Sequence, residues 1–442
     1  MNKIRFKKYL KLFLLSFILL NSITLSTIGL NEKNSVEKDL PSPIEVDMIL
    51  EESIFRRMSV REFTNEPVSD EDLSTILWAA FGLREDGKHT ISKINNSHSA
   101  VIYVINEEAA YKYDPINHSL VVYKEGDFIG NGVRIQYEAP YQLGLCWDVS
   151  KADPNQGSVE LGEIGQNIQF MANALDLGTV VTGEIPPAIK GLGLPENEEG
   201  LIMMPLGHPE VPYDFIDRPM WISKLPKIEE TTKTLTFALT NLDENIDFDG
   251  ELTEREISQI IWSSYGFSYY IDNSEQEPVH LKRHRTVPSA HGYYPFEIYT
   301  ITEDGIYRYY NNILIDIISK YLQITNAPVD FFGLPIITFL YKIRTGDFRE
   351  DIADITSQPN LAQAPILIIP VLNLENAKEL AMESAIRFWF YEAGAAAHNV
   401  MLESTVLDLS SRIIYPINPD LVNTILDLNE NYIPSLLIAV GK

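Results

Sequence analysis

Hydrophobic and polar positions follow the same pattern twice along this chain. Residues 69–82 predict a helix with a hydroxyl N-cap, an acidic first turn, an apolar stripe and a closing glycine, and residues 253–266 repeat it. Alternating β-rich segments then predict one hairpin in each copy, at 100–114 and at 296–310. The periodicity therefore indicates a repeated structural unit.

A second predicted helix, rich in small residues, also occurs twice. Its matched residues are Glu160, Gly162, Gln166 and Asn167 in the first copy and Glu392, Gly394, His398 and Asn399 in the second. An apolar strand ending in glycine closes each copy, at 201–207 and at 435–441. Because four landmarks recur in the same order, we interpret the chain as two homologous domains, 41–225 (half one) and 233–442 (half two), joined by a polar stretch.

One segment breaks the repeat. Half two carries an insertion at 312–345, between its predicted hairpin and a Gly-Asp-Phe sequence that half one reaches within a few residues. Such an insertion is compatible with a lid, a hairpin that contacts a membrane, or additional core. Additional core is the interpretation we favour.

Residues 1–30 differ in character from the rest of the chain. Five basic residues precede an apolar run at 12–20, which continues more weakly to residue 30; they are Lys3, Arg5, Lys7, Lys8 and Lys11. A basic head followed by an apolar body is typical of a secretory signal peptide or an uncleaved signal-anchor. We therefore expect the remainder to be extracytoplasmic, either secreted or anchored to the membrane, and leave cleavage open.

Length and composition fit this organisation. A chain of 442 residues is long enough for two cores. Its 35 basic and 62 acidic residues give a net charge of −27, which repels phosphate backbones and argues against a nucleic-acid partner. Cys146 is the single cysteine, so no disulfide framework is expected, and we predict it buried on a strand over 141–148. No metal site is predicted.

The first candidate for chemistry is Arg57, Ser59 and Arg61, which follow a helix predicted over 43–56. Alternate residues of an extended segment project to the same side, so the two arginines and the hydroxyl would face one ligand. Planar bidentate donors beside a small hydrogen-bonding group suit a phosphate. The spacing thus favours a phosphate-binding segment.

These motifs resemble a known family. The run 56–82 is similar to the opening of nitroreductase proteins, and 284–299 resembles the azoline-dehydrogenase branch (SagB/ThcOx type) of that superfamily. The resemblance implies an α+β nitroreductase-like fold, here as two tandem copies forming an intramolecular pseudo-dimer, which allows a monomer. It also implies FMN as the cofactor, bound between the copies.

The resemblance also assigns roles to residues. The phosphate and ribityl chain of FMN would be held by Arg57, Ser59 and Arg61, with help from Arg218 after the final strand of half one. Main-chain donors at Gly183 and Glu184 would face the flavin ring. Half two would contribute Arg285, Pro288, Ser289 and Ala290. His291 is a weak candidate for proton transfer, and its alternative role is to cap a turn.

The two halves lack opposite parts of this site. In half two the counterpart of the phosphate segment is 234–240, without arginine. In half one the counterpart of the Pro-Ser segment is 89–95, whose histidine and threonine fit but which has neither proline nor serine at the matching positions. The sequence therefore predicts one composite FMN site per chain. It would transfer hydride or electrons between a small-molecule donor and either a small conjugated acceptor or an azoline peptide. The alternative is a non-catalytic, membrane-associated binding or scaffold protein on a degenerate nitroreductase fold.

Overall fold

The computed structural model describes residues 37–94, 97–129, 137–183, 191–211, 214–216, 221–245, 248, 250–272, 281–311 and 336–442. The predicted signal segment 1–30 and most of the insertion, 312–335, lie outside these residues. Within the described ranges, no helix combines the length and the apolar character needed to cross a membrane.

The described residues form α-helices in both halves. They are α1 (Leu50–Arg56), α2 (Asp70–Phe81), α3 (Pro154–Ala174), α4 (Leu235–Thr240), α5 (Glu254–Tyr265), α6 (Arg349–Thr356), α7 (Leu374–Ala377), α8 (Ile386–Val406) and α9 (Pro419–Leu426).

The strands are mostly short and pair antiparallel. They are β1 (Glu37–Asp39), β2 (Ala100–Ile105), β3 (Ala109–Asp114), β4 (Ser119–Glu125), β5 (Tyr141–Asp148), β6 (Gly178–Thr179), β7 (Glu198–Gly207), β8 (Asp214–Ile216), β9 (Trp221–Ser223), β10 (Phe267–Asp272), β11 (Leu281–Arg285), β12 (Phe296–Thr302), β13 (Gly305–Asn311), β14 (Ile336–Thr345), β15 (Ile366–Asn373), β16 (Ser410–Ile414), β17 (Tyr432–Pro434) and β18 (Leu437–Gly441).

The two large sheets have the same strand order. The first sheet runs β1-β4-β3-β2-β5-β7-β6, and the second runs β14-β13-β12-β15-β18-β16 in the equivalent positions, with β9 beside β14 and β17 beside β15. Every strand of half two from β12 to β16, together with β18, thus has a counterpart in half one. The predicted α+β fold in two tandem copies is confirmed.

The insertion joins this scheme through its last ten residues. β14 pairs antiparallel with β13, as β4 pairs with β3 in half one. The glycine that follows each strand, Gly126 or Gly346, has a φ of 127°, which is readily accessible only to glycine. Residues 336–345 therefore form the second strand of the hairpin, and the additional length lies at 312–335.

Helices α2 and α5 begin as the sequence predicts. The hydroxyl of Ser69 accepts a hydrogen bond from the Asp72 amide at 3.0 Å. Thr253 forms a full capping box with Glu256, each side chain accepting from the other residue's amide. Because the first amides of a helix have no partner inside it, these caps define both starts.

The ends of the same helices are fixed by a tryptophan above a glycine. An added Cβ would lie 2.5 Å from the Trp78 ring at Gly82 and 2.3 Å from the Trp262 ring at Gly266. Both glycines have negative φ, so close packing rather than an unusual dihedral angle requires them. This contact explains why Trp and Gly recur together in the sequence.

The helix predicted over 43–56 is shorter than expected. Only Leu50–Arg56 is helical, and the preceding residues are extended. The amide of Ile44 donates to the Thr75 hydroxyl and that of Val46 to the Thr236 hydroxyl, both at 3.0 Å. Because other helices supply these acceptors, the segment satisfies its amides without forming a helix of its own.

The proposed counterpart of the phosphate segment was also misplaced. Residues 235–240 form α4, and its N-cap Thr234 forms a bridge with Ile49, the N-cap of α1. Leu50 donates to the carbonyl of Lys233, and Leu235 donates to that of Met48. This two-fold pattern makes α4 the counterpart of α1. In the register that these pairs set, Leu242 corresponds to Arg57, and Asn241, the C-cap of α4, corresponds to Arg56.

The long helices α3 and α8 form the contact between the halves. An added Cβ on Gly162 would lie 2.1 Å from the Tyr391 carbonyl, and one on Gly394 would lie 2.1 Å from the Val159 carbonyl. The backbones therefore touch at equivalent points, about a pseudo-two-fold axis. His398, fully buried, bonds across this contact to Glu163 at 3.1 Å and to Asn167 at 2.7 Å.

Short strands after half one's sheet extend into half two. β8 pairs with β10, and β9 pairs in parallel with β14. The main core is likewise continuous between the halves. Cys146 is buried on β5, as predicted.

Candidate functional site

The segment after α1 is held by its apolar residues. Met58 and Val60 are buried and pack with Phe63, while Ser59 is partly exposed and Arg61 is exposed. The Val60 amide donates to the Thr179 carbonyl at 2.9 Å. This alternation leaves Ser59 and Arg61 on the side opposite the apolar pair, as expected for extended backbone.

Arg57 is only 1% exposed and reaches into half two. Its Nε donates to the main-chain carbonyl of Arg285 at 2.9 Å, and its Nη1 donates to Gln169 Oε1 at 3.3 Å. Burial is the main cause that lowers the pKa of the guanidinium, although an arginine remains protonated in proteins. The phosphate-type arginine of half one thus contacts the Arg285 segment of half two.

Glu392 lies where the two contributions meet. The residue is 1% exposed; its Oε1 accepts a hydrogen bond from the Tyr265 hydroxyl, and the Ser289 hydroxyl lies nearby. Burial raises the pKa of Glu392 to about 8, against the opposing effect of the positive charges on Arg285 and Arg57. Arg57 and Ser289, predicted from opposite halves, therefore both lie close to this carboxyl group.

The predicted half-two residues occupy distinct positions around Glu392. Ser289 Oγ accepts from the Tyr294 amide at 2.9 Å, Pro288 is buried, and Ala290 packs against the main core. The Arg285 guanidinium donates to the Tyr265 carbonyl at 3.2 Å and lies over the Phe267 ring at 4.4 Å. Arg285 therefore offers its carbonyl, rather than its charge, to Arg57.

Of the other four predicted residues, two are exposed and two lie outside the described part of the chain. Gly183 is exposed and faces Phe388 of half two, 3.4 Å from where its Cβ would be. Glu184 and Arg218 lie outside the described residues. His291 is exposed in a turn with a φ of 54°, its ring 5.4 Å from that of Tyr293. The turn position fits its capping role, and no role in chemistry follows from it.

Unpartnered buried polar atoms gather around Arg57. Within the described part of the chain, four such atoms belong to its neighbours: Gln169 Nε2, Arg285 Nε, Tyr391 Oη and Glu392 Oε2. A buried polar atom without a partner costs about 1–3 kcal/mol, so several together point to a missing polar ligand. We call Arg57 and these four residues the Arg57 cluster.

Glu392 enters the sequence prediction only as a landmark of the repeat, and Gln169 and Tyr391 are not among the predicted site residues. The signal was present as a difference between the repeats. When α3 is aligned with α8 in the repeat, Val159 is the equivalent of Tyr391 and Met401 is the equivalent of Gln169. Polar residues thus replace apolar ones at matched buried positions on one side only, which is typical of a site.

The pseudo-symmetric position in the other half of the repeat has different hydrogen-bond partners and charges. Glu160, the counterpart of Glu392, forms a hydrogen bond with His98 Nδ1 at 2.7 Å and accepts hydrogen bonds from the Ser99 amide at 2.8 Å and from the Ser99 hydroxyl. Leu242 stands in the place of Arg57, and Asp243 and Glu244 follow it beside a cavity of about 620 Å³ between the halves, which Lys88, Lys93 and Arg412 also line. An apolar side chain followed by two carboxylates thus replaces the buried guanidinium, and these groups do not attract a phosphate.

A larger cavity of about 760 Å³ lies elsewhere, between the segment after β9 and half two. Phe248, Asp304 and Tyr307 are among its lining residues, and none of the unpartnered buried atoms identified in the described ranges belongs to that lining. The Arg57 cluster is therefore the better candidate, on chemical grounds rather than on size.

The chain is similar in sequence to known proteins. The nitroreductase family model matches residues 54–208 and 249–442. A Methanocaldococcus jannaschii protein described as a nitroreductase is 29% identical over 200 residues, 39% of this chain and 97% of that protein. The NADPH-flavin oxidoreductase of Vibrio harveyi is 26% identical over 176 residues, 36% of this chain and 65% of that protein.

A solved structure extends the likeness over the whole fold. The structure described as a nitroreductase of Anabaena variabilis covers 95% of this chain and 96% of its own, with a TM-score of 0.60 and 15% identity. At that identity the likeness concerns the fold alone. The family match itself spans most of both halves, and the chain therefore belongs to the nitroreductase family.

Proposed function

We propose that this protein is an FMN-dependent oxidoreductase with one composite cofactor site between its halves. The Arg57 cluster carries the proposal, because its unpartnered buried atoms surround a guanidinium that has no carboxylate bonded to it in the described residues. A cation beside neutral hydrogen-bonding groups suits a phosphate monoester. The flavin in the name of the Vibrio harveyi relative adds support.

Each half would contribute different residues to the proposed FMN site. Arg57, Ser59 and Arg61 would hold the phosphate and ribityl chain, joined by Arg218. Ser289, with Pro288 and Ala290 on either side of it, would flank the ring, and main-chain amides at Gly183 and Glu184 would donate to it. The Arg285 carbonyl would position Arg57, to which it is bonded at 2.9 Å.

FMN, when bound, supplies reversible two-electron chemistry between a donor and an acceptor. The protein's own part is to bind the anionic end, to orient the ring and to exclude water with the buried Tyr265 and Tyr391 and the half-buried Tyr294. We propose a small conjugated acceptor, such as a quinone or nitro compound, or an azoline peptide. NADPH is the proposed donor, after the name of the Vibrio harveyi relative.

Arg57→Ala tests the proposal against a control at the equivalent helix end of half two, Asn241→Ala. We expect the wild-type protein to bind FMN and Arg57→Ala to bind it at least about 100-fold more weakly, because a charge-assisted phosphate contact is lost. Asn241→Ala, next to the pseudo-symmetric position, should bind like the wild type. Absorbance and fluorescence titrations with FMN measure all three affinities.

Arg57 is buried, so a second variant guards against misfolding. Arg61→Ala changes an exposed residue and should weaken FMN binding by roughly tenfold without altering the fold. Equal affinities in the wild type and both arginine variants would contradict the proposal. A colourless wild-type protein that takes up no FMN would instead support the scaffold alternative.

A further inference from the structure

We propose that Glu392 is a positioning residue that holds a proton beside Arg57 and so keeps this cation free for an anionic ligand. In this arrangement a neutral carboxyl group lies next to the guanidinium, and the phosphate of FMN becomes the charge partner of Arg57. An ionised Glu392 would compete with that phosphate. The inference deepens the proposed function and rests on it.

The surroundings of Glu392 favour the neutral carboxyl group, because burial raises its pKa more than the hydrogen bond from the Tyr265 hydroxyl lowers it. The nearby hydroxyls of Tyr265 and Ser289 are uncharged, and Oε2 has no hydrogen-bond partner in the described residues. Arg57 donates to the Arg285 carbonyl and to Gln169, and Arg285 donates to the Tyr265 carbonyl, so neither arginine forms an ion pair with Glu392. A buried carboxylate without an ion pair is costly, and protonation removes that cost.

Charged and titratable groups approach Glu392 from each packed element. Tyr265 comes from α5, Arg57 from the end of α1, Arg285 from β11, and Tyr294 from the loop after β11. Tyr391 precedes Glu392 on α8. Burial raises the pKa of all three tyrosines above their ordinary value near 10, so they stay neutral at moderately alkaline pH. Glu392, with a pKa of about 8, is the group of this set that changes charge there.

Glu160 is the equivalent of Glu392 in the repeat and does not have the proposed role. Its two oxygens are fully engaged by His98 at 2.7 Å and by the amide and hydroxyl of Ser99. Glu392 has neither a basic partner nor a main-chain donor in the described residues. Glu160 is therefore a matched control for the position on the helix, the burial and the side-chain type.

Linkage fixes the direction of the pH dependence. A phosphate at Arg57 neutralises the positive charge that lowers the Glu392 pKa and adds negative charge nearby, so ligand binding raises that pKa. Binding is then accompanied by proton uptake whenever free Glu392 is ionised. FMN affinity is fully present below the free pKa of about 8 and declines as the pH rises above it, by at most about tenfold per pH unit.

The test compares FMN affinity at about pH 7 and about pH 9 by fluorescence titration. We expect the wild type and Glu160→Gln to bind about tenfold more weakly at the higher pH, and Glu392→Gln, which is permanently neutral, to change by less than about threefold. Riboflavin, which shares the ring but lacks the phosphate, should bind the wild type with equal affinity at both pH values.

A measurement on the unmodified chain keeps the test independent of the variant's folding. In weakly buffered solution at about pH 9, binding of FMN to the wild type should take up close to one proton per flavin. A parallel decline in Glu392→Gln, a decline with riboflavin, or binding without proton uptake would each overturn the role of Glu392 and leave the proposed function standing. No FMN binding by the wild type at either pH would overturn both.

Discussion

The burial and hydrogen bonds of Arg57 indicate its function more specifically than its sequence motif does. In the sequence it is one arginine at the end of a helix; in the structure it is 1% exposed and bonded to a carbonyl and an amide oxygen. A buried cation without an ion pair lowers the stability of the free protein. A phosphate that pairs with Arg57 would raise the free energy of unfolding, so FMN should also raise the midpoint of thermal unfolding.

Tyr391 gives a prediction in which stability and binding change in opposite directions. Its buried hydroxyl has no partner among the described residues. Tyr391→Phe should therefore raise the free energy of unfolding of the FMN-free protein by about 1 kcal/mol, since an unsatisfied group is removed. The same change should weaken FMN binding by roughly tenfold, because the hydroxyl lies beside Arg57. Urea unfolding and FMN titration measure the two effects.

The control for this change is Tyr103→Phe. The Tyr103 hydroxyl donates to Glu198 at 2.6 Å, on the sheet of half one. Its removal should lower the free energy of unfolding by about 1–2 kcal/mol and leave FMN affinity unaltered. If Tyr391→Phe destabilised the protein like the control, the hydroxyl would have a structural partner and no place in a ligand site.

At this scale the sequence reveals the motif residues but not their neighbours. Arg57 and Ser289 belong to short sequence motifs that indicate their chemistry without a structure. Glu392, Tyr391 and Gln169 lie on long helices where most residues are core, and their importance depends on which faces of α3 and α8 come together. Only the comparison of matched positions between the repeats could have drawn attention to them.

At the scale of elements, the contact between α3 and α8 fixes how the halves face each other. Gly162 and Gly394 each lie against a carbonyl of the opposite helix, so any larger residue would push the helices apart. Gly165 allows a similarly close approach, since a Cβ there would collide with the Tyr391 side chain. The small residues of the repeat therefore determine the geometry of the site.

Alanine at either glycine tests this arrangement. Gly162→Ala and Gly394→Ala should each lower the free energy of unfolding by about 1–3 kcal/mol through overpacking, even though alanine favours helix by about 1 kcal/mol. Gly191→Ala, where nothing lies within 4 Å of an added Cβ, should change it by less than about 0.5 kcal/mol. Unfolding in urea provides the comparison, and equal effects at all three sites would contradict the close contact.

Elements with strong local signals were predicted correctly from the sequence. The caps at Ser69 and Thr253 and the β2–β3 and β12–β13 hairpins depend on neighbouring residues alone. The extended segment before α1 was missed because its amides bond to the hydroxyls of Thr75 and Thr236, the second of which is 190 residues away. No local pattern contains that information.

At the scale of the whole molecule, the halves are joined by more than one face. β8 and β9 follow the sheet of half one yet pair with strands of half two. The repeat predicted two copies, but these short strands have no counterpart with which to align, so their destination was not predictable. Their pairing draws half one's terminal segment across half two and makes the two copies unequal.

This inequality bears directly on the number of cofactor sites. One pseudo-symmetric position has Arg57 and four unpartnered buried atoms, and the other has Leu242, two carboxylates and Glu160, whose two oxygens both have hydrogen-bond partners. A chain with two equal domains would bind two flavins. The differences between the halves predict one.

The stoichiometry of FMN binding tests this central claim most directly. Titration of the full chain with FMN, followed by flavin fluorescence and by the absorbance of the isolated complex, should saturate at one FMN per chain. Two FMN per chain would show that the Leu242 position also binds cofactor and would contradict the composite site. No binding would contradict the assignment as a flavoprotein.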